Sequence, residues 1–513
     1  MAMRRSVRRA RRRLARRSRA HSPCRRGRVT APATPSLAVA RPYRIIPAHQ
    51  RSRPRSGKSF VTVPAHRCAF ALLIAAALAA ACGGEPRPPN VVLISIDSLR
   101  PDHLGAYGYD RDTSPHLDAL ARSSVVFERA WSTSTWTLPS HVSLLTGLHP
   151  RAHGVTRWKR RIPAALPLLP ELLAARGYRS AAVVSGMLLH RRYGFDRGWV
   201  DYRDDLVGPH LALHSLVSSE RVHARVLEQL DRLGAGPFLL FVHYFDVHYD
   251  YAPPPPWDRH FDPGYDGTLT GADFARTTLF RRDLSPRDLE HLVALYDGEI
   301  RWVDEWLGRL FAELERRGLA EDALIVVLAD HGDEFYDHGR LGHAKNLYDS
   351  TLRAPLIVRF PGGRHGGRRV ATPVSLVDIA PTILRAAGLE VAASWPGRDL
   401  AEAFARGGLP DAPILADLNT TSRRRKILLD DWSAIFSFRP GRRAPARSEL
   451  YDLSTDARER DDRAQADPAR LDELWQRLEA EHRRSLETAA RFRREKVRPD
   501  PEFDHELRAL GYL

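Results

Sequence analysis

Two apolar stretches of this sequence end in side chains able to hold a metal ion. Val91-Val92-Leu93-Ile94-Ser95-Ile96 runs into Asp97, and Ile325-Val326-Val327-Leu328-Ala329 runs into Asp330-His331-Gly332. A carboxylate straight after an apolar strand is either a helix N-cap or a ligand, and Asp97 alone leaves the two readings even. Asp330 and His331 offer a hard oxygen and an imidazole to one divalent cation, with Gly332 giving a tight exit. Two such termini on one sheet edge favour a shared metal site over two coincidental caps.

The termini share an edge only if their strands lie in one sheet. Short apolar runs at 90–96, 181–185, 238–242, 323–328 and 356–358 read as buried parallel strands. Helical patterns at 115–123, 168–176, 219–233 and 288–317 alternate with them. This order predicts an α/β fold, a doubly wound, mostly parallel sheet with helices on both faces. Ligands then sit outside the carboxyl ends of the strands. Such a catalytic domain is expected over 90–400. Residues 401–513 read as a small C-terminal α+β subdomain and helical tail. Its short antiparallel strands are expected at 426–438 and 449–453, and an amphipathic helix at 468–483.

The 513 residues include 79 Lys+Arg and 62 Asp+Glu, a formal net charge of +17. The excess is confined to the amino end: residues 1–67 hold 20 Lys/Arg, and the first acid is Glu85. The remainder has 59 basic against 62 acidic residues. The folded part is therefore close to neutral, and neither nucleic acid nor another polyanion is expected as a charge-driven partner. The three cysteines, Cys24, Cys68 and Cys82, exclude a disulfide scaffold and thiolate zinc sites beyond residue 82.

Residues 1–60 are Arg-rich without hydrophobic periodicity and are expected to be disordered. Translation is expected to begin near Val61 or Val63, leaving the preceding segment untranslated. The apolar run at 68–81 follows His66-Arg67 and is short for a ~30 Å bilayer core. It fits the apolar region of a signal peptide over 61–82. Leu78-Ala79-Ala80-Ala81-Cys82 resembles a bacterial lipobox, with Cys82 as the lipid-bearing residue and 83–89 as a linker. The alternative is ordinary cleavage near Ala81, releasing a soluble protein. The expectation is an exported, membrane-anchored lipoprotein of the bacterial cell envelope, attached through Cys82 alone.

A third element narrows the family. Thr137-Leu138-Pro139-Ser140-His141-Val142-Ser143-Leu144-Leu145-Thr146-Gly147 resembles the sulfatase signature of the alkaline-phosphatase superfamily, Cys/Ser-x-Pro-Ser-Arg followed by Leu-Leu-Thr-Gly. It matches at Pro139, Ser140, Leu144, Leu145, Thr146 and Gly147; Thr137 replaces the Cys or Ser, and His141 replaces the Arg. Similar phrases lie at 97–109, His153-Gly154, 347–357 and 377–388, so the resemblance runs from about residue 90 to 395. Residues 449–453 and 507–513 are similar to the same group's carboxyl-terminal signatures.

The resemblance implies a metal-dependent hydrolase acting on an anionic ester. In sulfatases the signature's Cys or Ser becomes formylglycine. A Thr could be oxidised only to a ketone, so no formylglycine is expected here. Within the superfamily an unmodified Thr is the nucleophile of phosphodiesterases and phospho-head-group transferases. Thr137 is accordingly expected to attack phosphorus, sharing one divalent cation with Asp97, Asp330 and His331. Ser98 stands where calcium sulfatases usually carry a second Asp, which favours Mn²⁺ or Zn²⁺ over Ca²⁺.

Other candidates carry alternatives. His248 resembles a substrate-binding His; Asp246, His248 and His343 could instead form a second metal site, or 245–248 a plain loop. His343 and Lys345 are rivals for the position of a Lys that contacts the ester. His141 either hydrogen-bonds the transferred group or lies on a helix surface. Helix capping and solvation account for Arg100, Asp102 and His103. Lys159, in Arg157-Trp158-Lys159-Arg160-Arg161, reads as a leaving-group contact or a solvated basic loop. Residues 249–257 resemble a rim loop at the substrate mouth. Phosphoester cleavage is favoured by Thr137, and sulfate-ester cleavage by overall resemblance. A phospho-head-group transferase acting on envelope glycan or lipid, and a non-catalytic envelope binding protein, are the other readings.

Overall fold

The computed structural model describes residues 87–207, 219–234, 236–271, 284–392, 395–405, 408–420 and 422–509. The basic segment, the expected signal peptide with Cys82, residues 83–86 and residues 510–513 lie outside the described residues.

Eight strands form the central sheet: β1 Asn90–Ile96, β2 Val125–Phe127, β3 Arg179–Val183, β4 Asp201–Arg203, β5 Phe238–Tyr244, β6 Ala323–Ala329, β7 Leu356–Arg359 and β8 Arg369–Val370. Their order across the sheet is β8-β2-β7-β6-β1-β5-β3-β4. β1 lies between β5 and β6 and is parallel to both. Its last residue, Ile96, is level with Tyr244 of β5 and Ala329 of β6. Asp97 and Asp330, each one residue further on, therefore leave the sheet side by side.

Alternation along the central strands feeds two cores, as a pleat with period two requires. Val91, Leu93, Phe241, Val326 and Leu328 face one layer, with α1 Pro115–Arg122 on the other side and α2 Thr137–Thr146 on theirs. Val92, Ile94, Ile96, Val242 and Val327 face the second layer, covered by α3 Ser219–Leu233 and the 31-residue α4 Pro286–Arg316. α5 Ile379–Ala386 joins α2 in the first layer. Ser285 starts α4 by accepting the Asp288 N–H at 3.1 Å, with Pro286 in the first turn where no amide partner is needed.

Three expectations change. Residues 356–358 were expected to run parallel, but β7 is antiparallel to both β6 and β2. An apolar run carries no direction, so sequence alone does not tell the two apart. β5 continues to Tyr244, two residues past the expected end, and so includes His243. The expected strand at 426–438 is a hairpin of β10 Arg423–Leu429 and β11 Trp432–Phe438. It turns at Asp430 and Asp431, both left-handed (φ +50° and +64°), the geometry of a tight two-residue hairpin that Asp tolerates.

β9 Ile414–Asn419 and β12 Arg447–Asp452 complete an antiparallel sheet in the order β9-β10-β11-β12. Ile414, Ala416 and Leu418 pack into the same core as α2 and α5. The sheet's other face, with Leu415, Ile427 and Phe436, is covered by Leu474 and Leu478 of α6 Pro468–Ala489.

Candidate active site

Thr137 begins α2, directly after the extended Trp136, so its hydroxyl stands at the positive end of a ten-residue helix. It donates to Asp97 Oδ2 at 3.3 Å and lies 3.4 Å from His331 Nε2. His331 Nε2 is 3.5 Å from Asp97 Oδ1 and 3.4 Å from Asp330 Oδ2. Its Nδ1 is 3.1 Å from the carbonyl of Gly332, which fixes that nitrogen as the donor and leaves Nε2 its lone pair. Donor atoms of Asp97, Asp330 and His331 all lie within 4.8 Å of one another.

These donors fit a cation. Asp330 Oδ2 is buried and has no hydrogen-bond partner in the structure. Burial opposes the Asp97 charge, but His243, His248 and His331 outweigh it and hold that carboxyl below the usual range. Burial and the charge of Asp97 push Asp330 the other way, well above its ordinary value. Two carboxylates this close cannot both ionise cheaply without positive charge between them. Gly332 earns its place by close approach: a Cβ there would stand 2.7 Å from the Ser350 carbonyl oxygen.

Further imidazoles surround this centre. His243 Nε2, from β5, is 3.4 Å from Asp97 Oδ2. The His343 ring is 4.4 Å from that of His331 and 4.9 Å from that of His248. His343 Nδ1 is 2.6 Å from Asp333 Oδ1, and Tyr251 donates to Asp333 Oδ2 at 2.6 Å. His248 Nδ1 lies 2.7 Å from the Tyr249 carbonyl, and its ring stacks on Phe245. Burial drives the His248 imidazolium down to about 4 and that of His343 well below its ordinary value. Both are neutral near pH 7. Asp97, Asp330 and His331 are 0% exposed, whereas Thr137, His248 and His343 reach 1%, 2% and 5%.

Other expected site residues are not among the converging donors, although His141 Nδ1 lies 3.5 Å from Asp330 Oδ2. Asp246 accepts the Ser219 N–H at 3.1 Å and its hydroxyl at 2.8 Å, so it serves the start of α3. Its carboxylate does not join His248 and His343 in a metal cluster among the described residues. His141 is fully buried rather than on a helix surface: its Nδ1–H donates to the Thr137 carbonyl at 2.9 Å, and Nε2 lies 3.0 Å from Ser95 Oγ. Both ring nitrogens are thus engaged, and the residue braces the first turn of α2. Lys345 donates to the Leu341 carbonyl at 2.7 Å, while its rival His343 enters the imidazole cluster.

Solvation does not describe Arg100 and His103, which are 7% exposed. Arg100 bonds Asp102, Asp337 and the Asp333 carbonyl, and His103 lies 2.7 Å from buried Asp297. Tyr249 and Tyr251, expected in a rim loop, are buried walls of the site.

Sequence reading missed His243 and the role of Asp333. His243 shows as a polar residue near the carboxyl end of an apolar run, a signal legible once the strand extends past Val242. Asp333 was visible three residues after Asp330, but nothing in the spacing joins it to His343.

The sulfatase family model matches residues 89–389. The chain belongs to the sulfatase family. It is 26% identical over 347 residues to the ulvan-active sulfatase of Formosa agariphila, covering 62% of this chain and 65% of that one. It is also 26% identical over 448 residues to the steryl-sulfatase of Mus musculus, covering 64% and 67%. The chain thus spans about two thirds of the length of these curated relatives. In fold it is similar to the phosphonate monoester hydrolase of Agrobacterium radiobacter, with a TM-score of 0.64 and 21% identity over 80% of this chain and 100% of that one. Sulfatases typically use a divalent metal, and among the described residues Asp97, Asp330 and His331 fit one.

Proposed function

We propose that this sulfatase-family hydrolase cleaves an anionic ester through Thr137, with phosphoesters preferred to sulfate esters. The observation that carries the reading is the Thr137 hydroxyl, 3.3 Å from Asp97 and 3.4 Å from His331, beside the converging donors of Asp330. A divalent cation held by Asp97, Asp330 and His331, with Mn²⁺ or Zn²⁺ favoured, would lower the hydroxyl's pKa and neutralise ester charge.

Thr137 Oγ forms a bond to phosphorus as the bond to the leaving oxygen breaks, and its proton passes to water. His343, neutral and with its Nδ1–H on Asp333, takes that proton from the water on Nε2 and hands it to the leaving oxygen. His248, whose ring lies 4.9 Å from that of His343, positions the ester. Water then attacks the phospho-threonine, His343 takes a proton from that water, and phosphate leaves as Thr137 regains its own from solvent. A transferase would run the same first half and accept an alcohol in place of water.

Sulfate-ester cleavage is the second reading, favoured by the sulfatase names of the curated relatives. Against it stands Thr137, whose extra methyl blocks the aldehyde that sulfatases use. The fold neighbour named as a phosphonate monoester hydrolase contributes a likeness of fold alone. Export and lipid attachment at Cys82 complete the proposal. Loss of lipid labelling and release from membranes in Cys82→Ala would support anchoring, and unchanged labelling would refute it.

The deciding experiment assays aryl phosphodiester, phosphomonoester and sulfate ester side by side with Mn²⁺, Zn²⁺ or Ca²⁺. Phosphoester turnover should fall by about three orders of magnitude in Thr137→Ala and persist in part in Thr137→Ser. Sulfate-ester turnover surviving in Thr137→Ala would refute both nucleophile and chemistry.

A further inference from the structure

Near-neutrality of the folded part conceals one local concentration of arginine. A cavity of about 210 Å³ is lined by Arg151, Arg157, Arg160 and Arg494, together with Asp417 and Asn419. Asp417 is already engaged by Arg151 Nε at 2.7 Å. Arg157 donates to Asn419 Oδ1 at 3.1 Å, a neutral partner. Among the described residues no carboxylate lies within ion-pair distance of Arg157, Arg160 or Arg494. Behind the cavity, Arg425 is 4% exposed and bonded to Glu479, and burial plus the charge of Arg151 brings its guanidinium down to about 10. A fold gains nothing by crowding uncompensated guanidinium groups, since like charges repel. Arginine is, however, the side chain best shaped to grip a sulfate, phosphate or carboxylate with paired donors.

The cavity is tied by hydrogen bonds to the segments that carry the reaction centre. Its β9 residues Asp417 and Asn419 continue into Thr420, whose hydroxyl donates to the Ala344 carbonyl at 2.9 Å. Ala344 follows His343, and its N–H donates to the Thr135 carbonyl at 2.9 Å, two residues before Thr137. Asp417 N–H also bonds the Thr133 carbonyl at 2.9 Å. One hydrogen-bonded strand thus connects the arginine cavity to both the nucleophile's approach segment and the imidazole cluster. The cavity is smaller than the roughly 300–1,000 Å³ typical of a whole small-molecule site. Its size suits one anionic group with part of the residue that bears it.

We propose that this cavity is a subsite for a second anionic group of the substrate, so that the preferred ester is oligoanionic rather than singly charged. The inference rests on the reading that Thr137 cleaves an anionic ester, and it deepens that reading by naming the substrate class. The basic run around Lys159 thereby acquires a role through Arg157 and Arg160, whereas Lys159 itself is exposed over the Trp158 ring.

The test uses the full chain and a heparin hexasaccharide as an oligoanionic probe. Titration calorimetry on Thr137→Ala should give binding that weakens at least tenfold when Arg157→Ala, Arg160→Ala and Arg494→Ala are added together. The same three changes in the active protein should leave turnover of a singly charged aryl ester within about twofold. Arg157→Glu alone should weaken hexasaccharide binding in the same direction, which covers any loss of folding in the triple variant. Binding that is indifferent to these arginines overturns the proposal. So does a free sulfate ion that binds the cavity as tightly as the hexasaccharide, which would make it a lone-ion site. Arginine-dependent binding without turnover of any ester would leave the subsite standing and overturn the Thr137 reading instead.

Discussion

Asp333 Oδ1 lies 2.6 Å from His343 Nδ1, so this carboxylate, which is not one of the converging metal donors, sets the tautomer of an imidazole whose ring is 4.4 Å from that of His331. Asp333 is itself held by the Tyr251 hydroxyl at 2.6 Å. Asp333→Asn would leave a ring of the right shape with a weakened orienting bond. We expect kcat to fall by about 10- to 100-fold with little change in KM. The loss should be larger for alkyl esters than for nitrophenyl esters, whose leaving oxygens need less protonation. An equal loss for both leaving groups would remove His343 from the role of acid.

Ser98 offers a direct test of metal choice. It is fully buried at φ +57°, its hydroxyl donates to Asp97 Oδ1 at 3.1 Å, and its N–H donates to Asp330 Oδ1 at 3.4 Å. Asp is among the few side chains that tolerate this backbone conformation. Ser98→Asp should raise Ca²⁺ affinity relative to Mn²⁺ by about tenfold or more, read from the cation dependence of Tm. A preference that does not move would mean that oxygen-ligand count is not what selects the ion.

Lys345 should write its own limb into the pH profile. Burial brings its ammonium down to about 8. A cation that helps hold an anionic ester is lost on deprotonation, so KM should rise as pH climbs through about 8, with no such loss below it. Lys345→Gln should raise KM at pH 7 and abolish the limb, while Lys345→Arg should move it upward. A wild-type profile of KM that stays flat to pH 9.5 would assign Lys345 to structure alone.

Stability can be probed where a strand of the small sheet meets the helix turn at Asp349 and the loop at Glu459. Lys426 Nζ of β10 donates to Asp349 Oδ1 and Glu459 Oε1, each at 2.6 Å, with all three residues buried. Lys426→Met leaves two buried carboxylates facing each other and should cost about 3–5 kcal/mol. Chemical denaturation should record that loss. A change below about 1 kcal/mol would mean that water reaches the cluster.

Much of the site was legible because strand ends are legible. Asp97, Asp330 and His331 each follow an apolar run, and parallel pairing of adjacent strands converts that shared position into contact. Thr137 was reached through the signature around it. What stayed hidden depends on loops whose paths no periodicity encodes: Asp333 meeting His343, Asp246 turning to Ser219, and His141 burying both nitrogens. His243 was hidden by a strand end set two residues short. Gly186 gives that residue room, since a Cβ there would stand 2.9 Å from His243 Cε1 while the backbone, at φ −96°, would accept it. Gly186→Ala should therefore lower kcat about tenfold at nearly unchanged Tm. Unaltered kcat would place His243 outside the chemistry.

The donors around Thr137 leave from β1, β5 and β6, three neighbouring strands in the middle of the sheet. The arginines of the proposed subsite sit on peripheral turns and short strands, where substitutions disturb little else. Descendants of such a chain can change which ester they accept by editing the periphery, and the reacting centre need not follow. Innovation in specificity and conservation of chemistry are thereby assigned to different parts of one polypeptide.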